Sequence, residues 1–142
     1  RLTLSEPSLT KRAAMRNLTS SQEDYLEAIY VIASEKEDVC VRDIADRLSV
    51  AMPSVTGAMR RLAAMGLVRH GRYEYVELTA EGRRRAAVIA DRHALLKRFL
   101  TEALDVDDEI AEEDACAIEH HVSDATVEAM IRLLNSEGRG DA

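Results

Sequence analysis

The 142 residues contain no tryptophan, one phenylalanine, two prolines and two cysteines. Aromatics make up 4% of the chain, poor material for a large β-sandwich or an aromatic-lined substrate pocket. Cys40 and Cys116 cannot make a disulfide framework in a chain of this length, and neither has a CxxC neighbour, so a reducing cytoplasm is the expected setting. No stretch is long and apolar enough to span a membrane, and residues 1–20 mix charges and hydroxyls with scattered leucines, unlike a signal peptide. The chain opens on Arg1 rather than methionine, with Met15 an internal candidate start. A P-loop, a GxGxxG string and a nucleophile elbow are all missing, so nothing points to an enzyme. A helical regulator or binding protein fits this size and composition.

Charge is plentiful and unevenly placed. The formal net charge is −7. Residues 1–90 carry 14 Lys/Arg against 12 Asp/Glu, a net of +2, whereas residues 91–142 carry 5 against 14, a net of −9. Within 39–90 there are 9 arginines and 5 acids, so positive charge gathers in one part of an acidic protein. The two parts are expected to have different partners.

Helical spacing of Tyr25, Leu26, Ile29, Tyr30, Ile32 and Ala33 predicts a first helix from Ser20, capped by Thr19, Ser20 or Ser21. Val41, Ile44, Ala45 and Leu48 mark a short second helix ending near Ser49. A third runs from Met52 or Pro53 to Met65, with Gly66 at its end. Residues 67–78 alternate around His70-Gly71-Arg72, the pattern of a β-hairpin. Helix, short helix, turn, helix, hairpin is the order of a winged helix-turn-helix. Thr79 then caps a long helix to about Leu104, a further helix runs from Asp105 to about Val122, and Ser123 or Asp124 caps a last one ending at Asn135. The predicted fold is mainly α. A mobile tail covers 1–18, a winged helix-turn-helix 19–80 and an all-helical domain 81–136, while 137–142 should fray.

In a helix-turn-helix the second helix enters the major groove and its first turn meets base edges. Here that turn offers Ala51, Met52, Pro53, Ser54 and Thr56, while Arg60 and Arg61 are placed to reach the flanking backbone and Arg72, in the wing, is a further DNA-binding candidate. The competing reading leaves the arginines as solvated helix faces. Gly57, in mid-helix, is unfavourable by about 1 kcal/mol relative to Ala, either to let the duplex come close or as neutral variation.

The sharper chemistry is the string Cys116-Ala-Ile-Glu119-His120-His121. Residues three and four apart share a helix face, so a thiolate, a carboxylate and an imidazole from Cys116, Glu119 and His120 converge, with His121 elsewhere. Alone, the string also fits a structural cysteine beside a solvent-facing Glu-His pair. Asp24 and Glu27, three apart on the first helix, and His93, among apolar positions of the long helix, are further candidates. Taken singly they read as a solvated acidic face and a core histidine. His70 and Cys40 match no site pattern and read as structural or surface residues.

Ser21-Gln-Glu-Asp-Tyr-Leu-Glu-Ala-Ile-Tyr30, the helix-turn-helix through Leu67-Val68, Leu78-Thr-Ala-Glu-Gly82, Arg92-His-Ala-Leu-Leu96 and Asp114-Ala-Cys-Ala-Ile-Glu-His-His121 resemble, in order and spacing, the diphtheria-toxin-repressor family of metal-dependent transcriptional repressors. The resemblance covers Leu18 to about Asn135 and is similar to the shorter, two-domain, manganese-responsive branch. It implies a homodimer on a near-palindromic operator, with Mn(II) or Fe(II) held by Asp24, Glu27, His93, Glu119 and His120. Cys116 stands where the manganese branch has a carboxylate and the iron branch a thiol, whereas the iron branch has methionine at the position of Asp24. The implied site is therefore a hybrid. A winged-helix regulator sensing a non-metal ligand is the alternative, and it would leave Asp24, Glu119 and His120 dispensable.

Overall fold

The computed structural model describes residues 18–71 and 75–140, with side chains described as far as Ser136. The tail 1–17 and the wing tip with Arg72 lie outside the described residues. The order is α1 (Ser20–Glu35), β1 (Val39–Cys40), α2 (Val41–Leu48), α3 (Met52–Ala64), β2 (Val68–His70), β3 (Tyr75–Leu78), α4 (Ala80–Glu102), α5 (Asp108–Ile118) and α6 (Asp124–Gly140). Contacts divide the chain into two units that part between Ala90 and Asp91, ten residues beyond the boundary drawn from the sequence. The reason is apolar: Ala86 and Ile89 belong to the N-terminal core. No helix among the described residues is long and apolar enough to cross a membrane.

In the N-terminal unit each helix start is held by its own local chemistry. Thr19 and Gln22 form a reciprocal capping box at α1, with Gln22 N donating to Thr19 Oγ1 at 3.1 Å and Thr19 N to Gln22 Oε1 at 3.0 Å. Cys40, read from the sequence as a structural or surface residue, caps α2. Its backbone N and its Sγ donate to Asp43 Oδ2 at 3.0 and 3.1 Å, and Lys36 lies 3.0 Å from the same oxygen. These hydrogen bonds, first from the Cys40 backbone and then from its thiol, hold the Asp43 carboxyl below its ordinary range. Ser49, in the left-handed region at φ 55°, turns the chain from α2 towards α3.

The hairpin expected from alternation is present, with Val68 opposite Leu78 and His70 opposite Val76. A third strand was not foreseen: β1 pairs antiparallel with β3, Val39 opposite Val76, giving the order β1-β3-β2. Two residues are too few to show alternation in the sequence. The core beneath the sheet includes Leu26, Ile29, Val41, Ile44, Val55, Met59, Leu62 and Leu67, all fully buried. Leu18, assigned to the mobile tail, is also buried there, because its side chain gains more from the apolar cluster than from water. Where α4 begins, Thr79 Oγ1 accepts from Gly82 N at 3.0 Å and donates to Gly66 O at 2.7 Å. A Cβ on Gly82 would sit 1.9 Å from Leu67 O, so only glycine allows this close approach.

The C-terminal unit departs from expectation at its helix ends. Asp105 takes the left-handed region at φ 56°, so α5 starts at Asp108 rather than Asp105. It stops at Ile118 instead of Val122: the backbone N of His121 and of Val122 both bond Ile118 O, which closes the turn that leads into α6. α6 runs on to Gly140, past Gly138, where fraying was expected. Leu95, Val127 and Leu134 are buried together, with Phe99, Ala103, Val122 and Ile131 partly buried around them.

Candidate metal centre and nucleic-acid interface

Within the C-terminal unit the chemistry gathers around one side chain. Glu119, at 2% exposure, is the one buried charged residue among the described residues. It sits at the C-cap of α5 with helical backbone angles, its N bonded to Ala115 O at 3.0 Å, which aims the carboxylate inward. Oε2 lies 2.8 Å from His93 Nδ1 on α4, and Oε1 lies 3.5 Å from His120 Nε2. Oε1 accepts no hydrogen bond among the described residues. Cys116, one turn earlier, brings its Sγ within 4.8 Å of a Glu119 carboxylate oxygen, although the residue as a whole is exposed. Four of the six proposed ligands, His93, Cys116, Glu119 and His120, are thus neighbours in this unit. His121 is exposed, as its position in the string implies. Asp24 and Glu27 are half-buried on α1 of the other unit, three apart and hence on one face.

A buried carboxylate with an oxygen that no donor satisfies is unfavourable by roughly 1–3 kcal/mol or more unless a cation meets it. Imidazole, carboxylate and thiolate donors suit a borderline divalent ion. The residues present therefore fit a divalent metal.

Three side chains that the sequence reading passed over support this cluster. Arg92 reaches from α4 to the turn between α5 and α6: Nε donates to Glu119 O at 3.2 Å, Nη1 to Asp124 Oδ1 at 2.8 Å and Nη2 to Val122 O. It pins the backbone that presents Glu119 and His120. Glu112 Oε1 lies 2.8 Å from His93 Nε2, and Lys97 Nζ lies 3.1 Å from Glu112 Oε2. Burial raises the Glu112 pKa, but the bonds to Lys97 and His93 outweigh that and leave it lowered. Spacing held the signal, since Glu112 is four residues before Cys116 and Lys97 four after His93.

In the N-terminal unit α2, the turn and α3 form the expected helix-turn-helix. Val55, Ala58, Met59 and Leu62 face the core, while Pro53, Ser54, Arg60 and Arg61 are exposed on the other side of α3. Met52 is partly buried against the core, and Thr56 Oγ1 donates to Met52 O at 3.2 Å, so these two are less available than expected. A Cβ on Gly57 would meet only Arg61 Nη1, at 3.6 Å, an ordinary contact, so packing does not require glycine there.

The profile of the iron-dependent repressor N-terminal DNA-binding domain matches residues 17–76, and that of the iron-dependent repressor metal-binding and dimerisation domain matches 79–137. The transcriptional regulator MntR of Escherichia coli O6:H1 is 40% identical over 116 residues, covering 82% of this chain and 74% of that protein. This chain belongs to the iron-dependent repressor family. It is also similar to MntR of Bacillus subtilis, 34% identical over 124 residues with 87% of each chain covered. Among solved structures, the manganese regulator SloR superposes with a TM-score of 0.72 at 31% identity, covering 83% of this chain. A manganese-dependent transcriptional repressor in complex with manganese gives 0.73 at 33% identity, covering 80%. The chain spans 55% and 52% of those two proteins, about half their length. The family consists of metal-responsive DNA-binding repressors and not of enzymes.

Proposed function

We propose that this chain is a cytoplasmic repressor that binds operator DNA as a homodimer when Mn(II) or Fe(II) is bound, with Asp24, Glu27, His93, Cys116, Glu119 and His120 as the ligands. The observation that carries the reading is buried Glu119, one oxygen without a hydrogen-bond donor and its neighbours imidazole and thiol. Asp24 and Glu27 join the set on their spacing in α1 and on the family resemblance. A bound divalent ion supplies the positive charge that lets these anionic donors be deprotonated together.

Because the donors come from both units, the unit that reads DNA and the unit that binds the ion share one equilibrium, and binding of operator and of metal strengthen each other reciprocally. Pro53 and Ser54, with Met52 and Thr56, read base edges, while Arg60, Arg61 and Arg72 hold phosphates. Leu104, Ile110 and Leu133, exposed in the single chain, supply apolar surface for the second copy. Two reading helices then stand about 34 Å apart on a near-palindromic site.

Cys116 is where this chain departs from the manganese branch, so it carries the test. Under reducing conditions, the metal concentration at half-maximal operator binding is measured for wild type, Cys116→Ala and Cys116→Glu with Mn(II) and with Fe(II). A ligand role predicts that Ala weakens the response to both ions and that Glu shifts preference towards Mn(II). Unchanged midpoints and ranking across the three proteins would remove Cys116 from the site.

A further inference from the structure

His93 has a carboxylate at each ring nitrogen, and the two differ. Glu119, at Nδ1, is buried and belongs to the donor cluster. Glu112, at Nε2, has a side chain 53% exposed, and its other oxygen is held by Lys97, which also lies 3.5 Å from Asp108. His93 and Lys97 are one turn apart on α4, as Asp108 and Glu112 are on α5, so two helix faces meet in a ladder of alternating charge. An imidazole donates an electron pair from only one nitrogen at a time and carries a proton on the other. Which nitrogen keeps its proton is set by the better-placed acceptor.

We propose that Glu112, backed by Lys97, is a positioning residue that keeps a proton on His93 Nε2, so that Nδ1, beside Glu119, is the nitrogen that serves as a ligand. This rests on the metal-site reading above and extends it to a residue that is not itself a ligand. Without Glu112 the ring loses the carboxylate at Nε2, while Glu119 stays at Nδ1. The proton then settles on Nδ1, the nitrogen the cluster needs bare, or the ring turns about χ2. Either outcome weakens the site without touching any ligand, by about 10-fold or more if Glu112 acts as outer partners of metal-bound histidines generally do.

The test compares wild type, Glu112→Ala and Glu112→Gln in two measurements. In metal-free protein, ¹H–¹⁵N spectra of the His93 ring read the Nε2–H proton: it should exchange slowly with solvent in wild type and Glu112→Gln, whose amide oxygen still accepts, and rapidly in Glu112→Ala. In Mn(II) titrations, Glu112→Ala should bind about 10-fold more weakly and Glu112→Gln within a few-fold of wild type. Equal Mn(II) affinity for wild type and Glu112→Ala overturns the proposal. So does a Gln variant as impaired as Ala, which would make Glu112 a ligand. Failure of the underlying reading looks different: wild type takes up no Mn(II) although its Nε2–H is protected.

Discussion

The N-terminal unit closes a large set of apolar side chains, from Leu18 to Ile89, over one continuous core, while the C-terminal unit has Leu95, Val127 and Leu134 at the centre of its cluster and buries the carboxylate of Glu119. In the first, polar groups satisfy helix ends: Thr19, Asp43 and Thr79 each close a start with a hydrogen bond. In the second, imidazole and carboxylate groups gather around Glu119, one oxygen of which accepts no hydrogen bond among the described residues. Polar groups thus secure helix starts in the DNA-reading unit and form the candidate metal centre in the other.

The largest expected effect breaks the first half of that contrast. Gly82→Ala places a Cβ 1.9 Å from Leu67 O, where backbone must move. In an ordinary helix the change would stabilise by about 1 kcal/mol; here it should destabilise by about 3 kcal/mol in denaturant unfolding. A stabilised variant would mean the junction of hairpin and α4 is looser than described.

Next comes the dependence of the second unit on its ligand. Mn(II) at about 100 times its Kd should raise wild-type unfolding free energy by about 2.7 kcal/mol. Glu119→Gln should abolish that gain and, by removing a buried charge, leave the metal-free protein at least as stable as wild type. If the variant is less stable without metal and still gains from Mn(II), Glu119 is an ordinary structural carboxylate.

Smaller effects sharpen the picture of the first unit. Asp43→Ala removes the acceptor at the start of α2 and should lower stability by about 1 kcal/mol at neutral pH. Because the folded Asp43 pKa is lowered, first by the Cys40 backbone bond, its stabilisation is complete above the unfolded pKa and is lost as pH falls below about 4. The two proteins should therefore converge in acid, and a constant gap down to pH 2 would contradict the cap. Arg60→Ala and Arg61→Ala should each reduce the slope of log affinity against log salt by about 0.9, whatever the DNA sequence. Unchanged slopes would return both arginines to the solvated face.

Much of this was legible in the sequence because periodicity and caps are local. The order of helices, the hairpin, the Thr79 cap and the resemblance that implies the metal-dependent repressor all follow from short spacings. The misses share a different cause. β1 is two residues long and exists only through β3; Leu18 is buried by partners distant in sequence; α5 stops early because His121 and Val122 both turn back to Ile118. Arg92, Lys97 and Glu112 look like surface charge until the fold sets them against Glu119 and His93, so the residues that support the site were harder to find than its proposed ligands.

The most direct test is the metal dependence of sequence-specific DNA binding. Duplexes selected from a random-sequence pool with Mn(II) present are titrated with the reduced protein, once with Mn(II) and once with chelator, at a salt concentration that suppresses non-specific binding. The account predicts tight binding to near-palindromic sites with Mn(II) or Fe(II) and, under chelator, loss of discrimination between those sites and scrambled DNA. Equal affinity for the selected sites with metal and with chelator would contradict it.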